Sequence, residues 1–447
     1  MTQRILVRGA TLAQGTTTDI LIADGVFAEL GTGLSDAKAT VIDGSGLLAL
    51  PGLVDLHTHL REPGFEHSET ILTGSRAAAM GGFTAVHAMA NTSPVADTAG
   101  VVEQVQALGR DAGFVTVRPV GAVTIGLEGR QLAEIGAMAT SRAKVRVFSD
   151  DGKCVSDALL MRRALEYVKT FGGVVAQHAQ EPRLTVDAQM NEGALSSELG
   201  LEGWPAVAEE AIIARDVLLA EHVGARLHIC HLSTAGSVDV VRWAKARGID
   251  VTAEVTPHHL LLTEDLASSY DARFKVNPPL RSREDITALR AGLADGTIDI
   301  IATDHAPHPV EDKDCAWSDA AFGMVGLESA LSVVQAALIE TEILGWSDIE
   351  RVLSRVPASI GDLHGYEKGI AAGAPAELTL VDTAARRDFA PTDLRGKSHN
   401  SPYLGSALPG RVIATIHNGY ATVRNGELVS TEEVAEHAVQ SGGDLRG

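Results

Sequence analysis

The chain has 447 residues, 45% of them hydrophobic and 21% charged, and 37 Lys+Arg against 58 Asp+Glu leave a formal net charge of −21. That is a globular composition, and the length alone allows about three domains, or fewer where one is a barrel. A field of this sign repels phosphate backbones and anionic lipid, which excludes nucleic acid and membrane surfaces as partners and sits awkwardly with any anionic substrate.

The first residues, MTQRILVRGATLAQG, lack the charged start, apolar run and small-residue cleavage site of a secretory signal. Cys154, Cys230 and Cys315 show no CxxC spacing and read as free thiols of a reducing compartment, so a cytoplasmic protein is expected. Asp24-Gly25, within DILIADGVFAEL, predicts a tight hairpin. From residue 50 a different rhythm begins, with short apolar runs that end in polar residues. They are LPGLVDLHTH (50–59), FTAVHAMAN (83–91), FVTVRPVG (114–121), KVRVFSDD (144–151), GVVAQH (173–178), RLHICH (226–231), IDVTAEV (249–255) and DIIATDH (299–305). Helix-compatible segments lie between them, at 98–111, 156–171, 206–223 and 282–294. Eight such repeats predict an α/β fold, a (β/α)8 TIM-type barrel whose chemistry sits at the C-terminal strand ends. A doubly wound sheet would want a Gly-rich phosphate loop after its first strand, where this chain has histidines. The most apolar window, 320–339, carries Glu328, Ser332 and Gln335 and is expected as a buried helix, not a membrane span. Near the end, Asn418-Gly419 and Asn425-Gly426 again punctuate β-type runs. The two ends together predict one small β-sandwich domain, 1–50 plus 366–447, around a barrel of 51–365.

The residues that end the runs carry the chemistry. His57 and His59, one residue apart on a strand, project from one face and can converge on a metal. His178, His231 and Asp304 end or nearly end three further strands, and the Asp150-Asp151 pair ends another, with room for only one of the two at the site. Four histidines with carboxylates make a ligand inventory for zinc-like ions. His228 lies three residues from His231 and is expected on the opposite face, as is Cys230. His87 is expected to pack within the barrel, His258 and His259 to lie behind the site or at the surface, and His305 to point away from it. His67, His222, His364, His399, His417 and His437 have no context that argues for a functional role.

The motifs DLHTHLREPG (55–64), MANTSP (89–94), FSDDGK (148–153), QHAQE around His178, HLST (231–234), KVNPPLR (275–281) and ATDHAPH (302–308) together resemble a metal-dependent amidohydrolase, and more closely the type I bacterial dihydroorotase family, over essentially the whole chain. The resemblance implies His57, His59, Asp151, His178, His231 and Asp304 as metal ligands, with Asp151 bridging two zinc ions. Dihydropyrimidinases, allantoinases and the other dihydroorotase type usually place a carboxylated lysine there, so an aspartate favours the type I subgroup. Ala90 departs from the family's usual proline in M-P-N-T, while Asn91 is retained. The resemblance further implies that Arg61, Asn91 and His308 bind the substrate carboxylate, that His59, Asn277, Phe322 and Gly323 also contact substrate, and that Asp304 moves the proton. The implied reaction is the reversible, zinc-dependent cyclisation of N-carbamoyl-L-aspartate to L-dihydroorotate in pyrimidine (UMP) synthesis. An allantoinase or hydantoinase would not need the Arg61–Asn91 anchor. A silent homologue scaffolding aspartate transcarbamoylase would have lost ligands that this chain keeps. Aspartate transcarbamoylase remains an implied partner, a homodimer is the default assembly, and the loop 306–322 is expected to act as a lid.

Overall fold

The computed structural model describes residues 3–441; residues 1–2 and 442–447, at the outer limits of the expected small domain, and the side chain of His437 lie outside the described residues. All eight expected runs form strands: Leu53–Thr58, Phe83–Ala88, Thr116–Pro119, Val147–Phe148, Val174–Gln177, Leu227–Ile229, Val251–Val255 and Ile300–Ile301. Neighbours in chain order pair in parallel. Bridges Gly121↔Phe148 and Thr58↔His305 complete the ring, so the eight strands close into a barrel. Strands buried on both faces explain why the runs are continuously apolar and do not alternate. Helices Ala99–Ala112, Ala158–Lys169, Val207–Val223 and Arg283–Ala294 occupy the expected intervening segments. The last is started by a capping box, in which Ser282 and Asp285 each accept the other's backbone N–H.

One charge interrupts the first strand for a structural reason. Asp55 Oδ1 accepts the N–H of His57 at 3.0 Å and of Thr303 at 3.1 Å, which ties the first strand to the last at the seam. Burial pushes its carboxyl up to about 6. His87 packs inside, as expected, with its ring nitrogens 3.3 Å from the carbonyls of Asp55 and Gly361. Burial, with Arg118 nearby, pushes its imidazole down to about 4. The folded state therefore favours neutral His87, and stability is lost as pH falls from about 6.5 through 4, where only the unfolded chain takes the proton. Replacing His87 with Leu is expected to remove about 3 kcal/mol of that acid-side loss. Denaturant midpoints of both proteins at pH 7 and pH 4 check this, and parallel curves would contradict it.

Both chain ends build one nine-stranded, largely antiparallel sheet. Leu378–Asp388 from the C-terminal part pairs with Leu48–Pro51 from the N-terminal part, Leu378 opposite Pro51. The three expected hairpins turn through Asp24-Gly25, Asn418-Gly419 and Asn425-Gly426, with φ of 53° and 78°, 50° and 80°, 54° and 75°. Positive φ at both central residues is the type I′ geometry that suits strand twist. Two of these turns, from opposite ends of the chain, press on each other, and a Cβ on Gly419 would lie 2.6 Å from Gly25 Cα.

The window 320–339 departs from the expected helix. Only Ala330–Val334 is α-helical, continuing into a π-turn over Gln335–Ile339. Ahead of it, Met324 bridges to His305 and Gly323 adopts φ 134°, so the chain serves the barrel seam first. The polar residues of the window face the β domain. Glu328 accepts the N–H of Arg395, Ser332 donates to Gly410 O and Gln335 Nε2 donates to Thr383 O. Among the described residues no helix is long and apolar enough to cross a membrane.

Candidate metal centre

At the C-terminal end of the barrel the side chains of six buried residues from five strands converge. His57 and His59 come from the first strand and the residue after it, Asp151 and His178 follow the fourth and fifth, and His231 and Asp304 follow the sixth and eighth. The Asp151 carboxylate faces two ways. Its Oδ2 lies 3.2 Å from His57 Nε2 and 3.4 Å from His59 Nε2, while Oδ1 lies 3.2 Å from His178 Nδ1 and 3.1 Å from His231 Nε2. Asp304 Oδ1 joins the first group, 3.0 Å from His59 Nε2 and 3.5 Å from His57 Nε2. His57, His59, Asp151 and Asp304 thus make one set of converging ligand atoms, and Asp151, His178 and His231 another. Burial opposes ionisation of Asp151 and Asp304, but the surrounding histidines hold both carboxyls well below the ordinary range. Against the same desolvation, Asp151, Glu254 and Asp304 push the His57 imidazole well above its ordinary range, so the pocket favours a positive charge there, a proton or a bound cation in its place.

The unmet bonding of the set fits a divalent ion. His57 Nε2 is buried without a hydrogen-bond partner, although two carboxylates approach it. Imidazole nitrogens and carboxylate oxygens in this mixture suit zinc and its neighbours. Three of the ligand rings also have their tautomer set from behind. His59 Nδ1–H donates to Asn91 Oδ1 at 2.9 Å, His178 Nε2–H to Gln180 Oε1 at 2.7 Å, and His57 Nδ1–H to Glu254 Oε1 at 2.6 Å. Each leaves the opposite nitrogen free to ligate.

Asp150 turns away, accepting the N–H groups of Val123 and Thr124 and the Thr124 hydroxyl. His305 also points elsewhere, its Nδ1 accepting from Gly326 N–H. Two expectations about the sixth strand fail together. Cys230 Sγ lies within 4.8 Å of His57 and Glu254 ligand atoms, packed beneath the centre with Leu56, Val120 and Ala176. His228 also turns inward, donating from Nε2 to Glu254 Oε2 at 3.0 Å. His228 and Cys230 share the inner face by the two-residue period. The strand ends at Ile229, and His231 returns to the centre only because its backbone is left-handed, φ 34°. Arg61 and Asp304 are left-handed as well, at 63° and 49°, so three site residues sit in a backbone region that costs energy. His258 and His259 are buried, neither at the surface, with ring centroids 4.5 Å apart.

At the mouth, Arg61 Nε donates to Pro307 O at 3.1 Å and Nη2 lies 3.3 Å from His308 Nε2. His308 is pushed down to about 3 by burial and is neutral, with Nε2–H donating to Phe322 O at 2.8 Å. Asn277 Nδ2 donates to Gln180 Oε1 at 3.2 Å, and Asn277 Oδ1 is buried without a partner. The Gly323 N–H is taken by Lys275 O at 3.0 Å and its carbonyl by Asn400 at 3.2 Å. The loop 306–322, expected as a lid, is fastened by two lysines. Lys275 Nζ donates to Trp317 O at 2.6 Å, and Lys313 Nζ to Ala321 O at 2.6 Å. Burial pushes the Lys313 ammonium down to about 7. Glu254, Gln180 and these lysines were not singled out from sequence. Only Glu254 carried a signal, a lone carboxylate inside an apolar strand.

Comparison with known proteins follows the same lines. A family model described as dihydro-orotase-like matches residues 46–237. A dihydroorotase of Leifsonia xyli subsp. xyli is 73% identical over 96% of this chain and 98% of its own length. Those of Streptomyces coelicolor and Mycobacterium tuberculosis are 64% and 51% identical, each over 95% of this chain and 99% of its own length. Among solved structures, the L-hydantoinase of Arthrobacter aurescens superposes with a TM-score of 0.84 at 24% identity, covering 96% of this chain and 98% of its own. The dihydropyrimidinase of Brevibacillus agri gives 0.83 at 21%, covering 96% of each. At that distance the likeness is one of fold.

Proposed function

The chain belongs to the dihydroorotase family, and from that premise we propose how its residues divide the work of closing N-carbamoyl-L-aspartate to L-dihydroorotate and reopening the ring. The observation that carries the reading is the Asp151 carboxylate shared between two sets of histidines. His57, His59, Asp151 and Asp304 would hold one zinc ion, and Asp151, His178 and His231 a second. When bound, such ions supply a water that ionises near neutral pH and an electrophilic pull on the ring amide carbonyl. Asp304, ionised and turned toward His59, takes the proton of the attacking water and passes it to the departing ring nitrogen; in ring closure the transfers run in reverse. Arg61 offers a guanidinium fork to the substrate carboxylate, with the Asn91 amide and His308 beside it. Asn277 and the backbone of Phe322 and Gly323 border the ring. The acidic total of the chain does not oppose an anionic substrate here, because this cation stands at the mouth itself.

Under this reading the chain divides into a small domain of 1–50 plus 366–447 and a barrel of 51–365; the close succession of the sheet strand Leu48–Pro51 and the barrel strand Leu53–Thr58 supports a break near the first of these bounds. The reading is completed by a cytoplasmic location, argued from the free cysteines, by a homodimer as the commonest symmetric assembly, and by aspartate transcarbamoylase as the partner the family resemblance implies. A hydantoinase has the same fold but no ring carboxylate to anchor, and Arg61 beside His308, with Asn91 on the neighbouring ligand His59, supports dihydroorotate. Arg61→Met is expected to lower kcat/KM for dihydroorotate roughly 10- to 150-fold, the loss of hydrogen bonds to a charged group worth about 1.5–3 kcal/mol. Hydantoin turnover is the control. A wild-type protein that prefers hydantoin, or an Arg61→Met variant with unchanged kcat/KM, would overturn the assignment.

A further inference from the structure

We propose that Glu254, braced by His228, is the positioning residue that sets how tightly the His57 half of the centre holds its ion. This rests on the metal reading above and adds a residue that takes no part in ligation. Glu254 lies in the strand Val251–Val255, wholly buried beneath the ligands. Its Oε1 accepts the Nδ1–H of His57 at 2.6 Å and the backbone N–H of His231 at 3.2 Å. Its Oε2 accepts the Nε2–H of His228 at 3.0 Å, and the Thr252 hydroxyl lies 2.8 Å from His228 Nδ1. His228 and His57 thus each reach one oxygen of the same carboxylate, and the Thr252 hydroxyl closes the far side of His228, so the chain Thr252–His228–Glu254–His57 is continuous. With Nδ1–H committed to Glu254, His57 aims Nε2, where a bound cation would take the place of a proton, at Asp151 and Asp304.

The asymmetry among the ligands is what gives Glu254 its weight. His59 and His178 are fixed by neutral amide oxygens, of Asn91 and Gln180, whereas His57 is fixed by a carboxylate. A full negative charge behind an imidazole raises the basicity of its far nitrogen and attracts the cation through the ring, which an amide does far less. Glu254 is wholly buried, with Cys230 close by, so this influence is not screened away by water. The same Oε1 also holds the His231 backbone, just where the chain turns left-handed to bring that ring to the other half.

The test is zinc release from the purified full-length protein, titrated with a competing chromogenic chelator, with unfolding temperature measured in parallel. Wild type is expected to hold two equivalents. Glu254→Gln keeps the shape and removes the charge. It is expected to release one equivalent at 10- to 100-fold lower chelator strength while the other equivalent stays as in wild type. His228→Gln is expected to loosen the same equivalent less, and to add nothing in the Glu254→Gln background. A Glu254→Gln titration superimposable on wild type would overturn the proposal. So would simultaneous release of both equivalents with a lowered unfolding temperature, the mark of a merely structural role. Should Glu254→Gln not fold, His228→Gln decides: unchanged zinc retention overturns the proposal and selective loosening of one equivalent supports it. A wild-type protein that takes up no zinc would instead defeat the metal reading itself.

Discussion

Exchange of Asp304 for Asn is expected to lower kcat by about 10³-fold in both directions, within the 10²–10⁴ range that a positioned proton-transfer group contributes. Asparagine keeps the shape and an oxygen near His59 but cannot accept the proton from water or return it to the ring nitrogen. The wild-type carboxylate is suited to the task by its surroundings. Its Oδ1 lies 3.0 Å from His59 Nε2, and the imidazoles around it hold it ionised despite burial. Asp304 also stands among the ligands, so the result must be separated from simple metal loss. Metal per chain, measured on the same preparation, should remain near the wild-type value or fall by at most one equivalent. A kcat within tenfold of wild type with metal retained would remove Asp304 from proton transfer. The equilibrium constant fixes the ratio of kcat/KM in the two directions, so both must fall by the same factor, and a kcat loss confined to one direction would mean a compensating change in binding.

Much of this centre is legible in the chain itself, and the parts that are not have a common cause. His57 and His59 can be placed on one face because both lie at the end of one extended run, where the two-residue period holds. Asp150 and Asp151 stay ambiguous on spacing alone; folding resolves them because Val123 and Thr124, one strand over, claim Asp150. Cys230 and His228 are misplaced from sequence because the two-residue period does not reach His231: the strand ends at Ile229 and His231 has left the extended region. Glu254 shows in sequence as an odd carboxylate in an apolar strand. Its partner His57 lies 197 residues away, and only closure of the barrel brings them together. The segment 320–339 carries a helical composition, yet its first half is drawn into the seam by the Met324–His305 bridge. Local pattern thus reads the strands and their polar ends, while contacts made across the closed ring decide which atoms face one another.

Asp151→Ala is expected to have the largest effect of any single change, with metal content falling from two equivalents to less than one and turnover falling below about 10⁻⁴ of wild type. The reason is that one carboxylate serves both halves. Without it the first half keeps His57, His59 and Asp304, three donors with one negative charge between them. The second half keeps only His178 and His231, whose facing nitrogens are 2.9 Å apart. Two neutral imidazoles without a carboxylate form a weak site, so the second ion goes first. Asp151→Asn should be intermediate, because an amide presents one oxygen and turns its NH2 group to the other pair of histidines. It is expected to hold close to one equivalent. Metal per chain after exhaustive dialysis against metal-free buffer reads both predictions. Thermal unfolding with added zinc reads them independently, because an ion that binds only the folded state raises the unfolding temperature in proportion to the logarithm of its concentration. Wild type should show that rise, and Asp151→Ala should show little of it. A folded Asp151→Ala protein that still holds two equivalents would place the bridge elsewhere, since no other side chain of the two sets turns one oxygen to each.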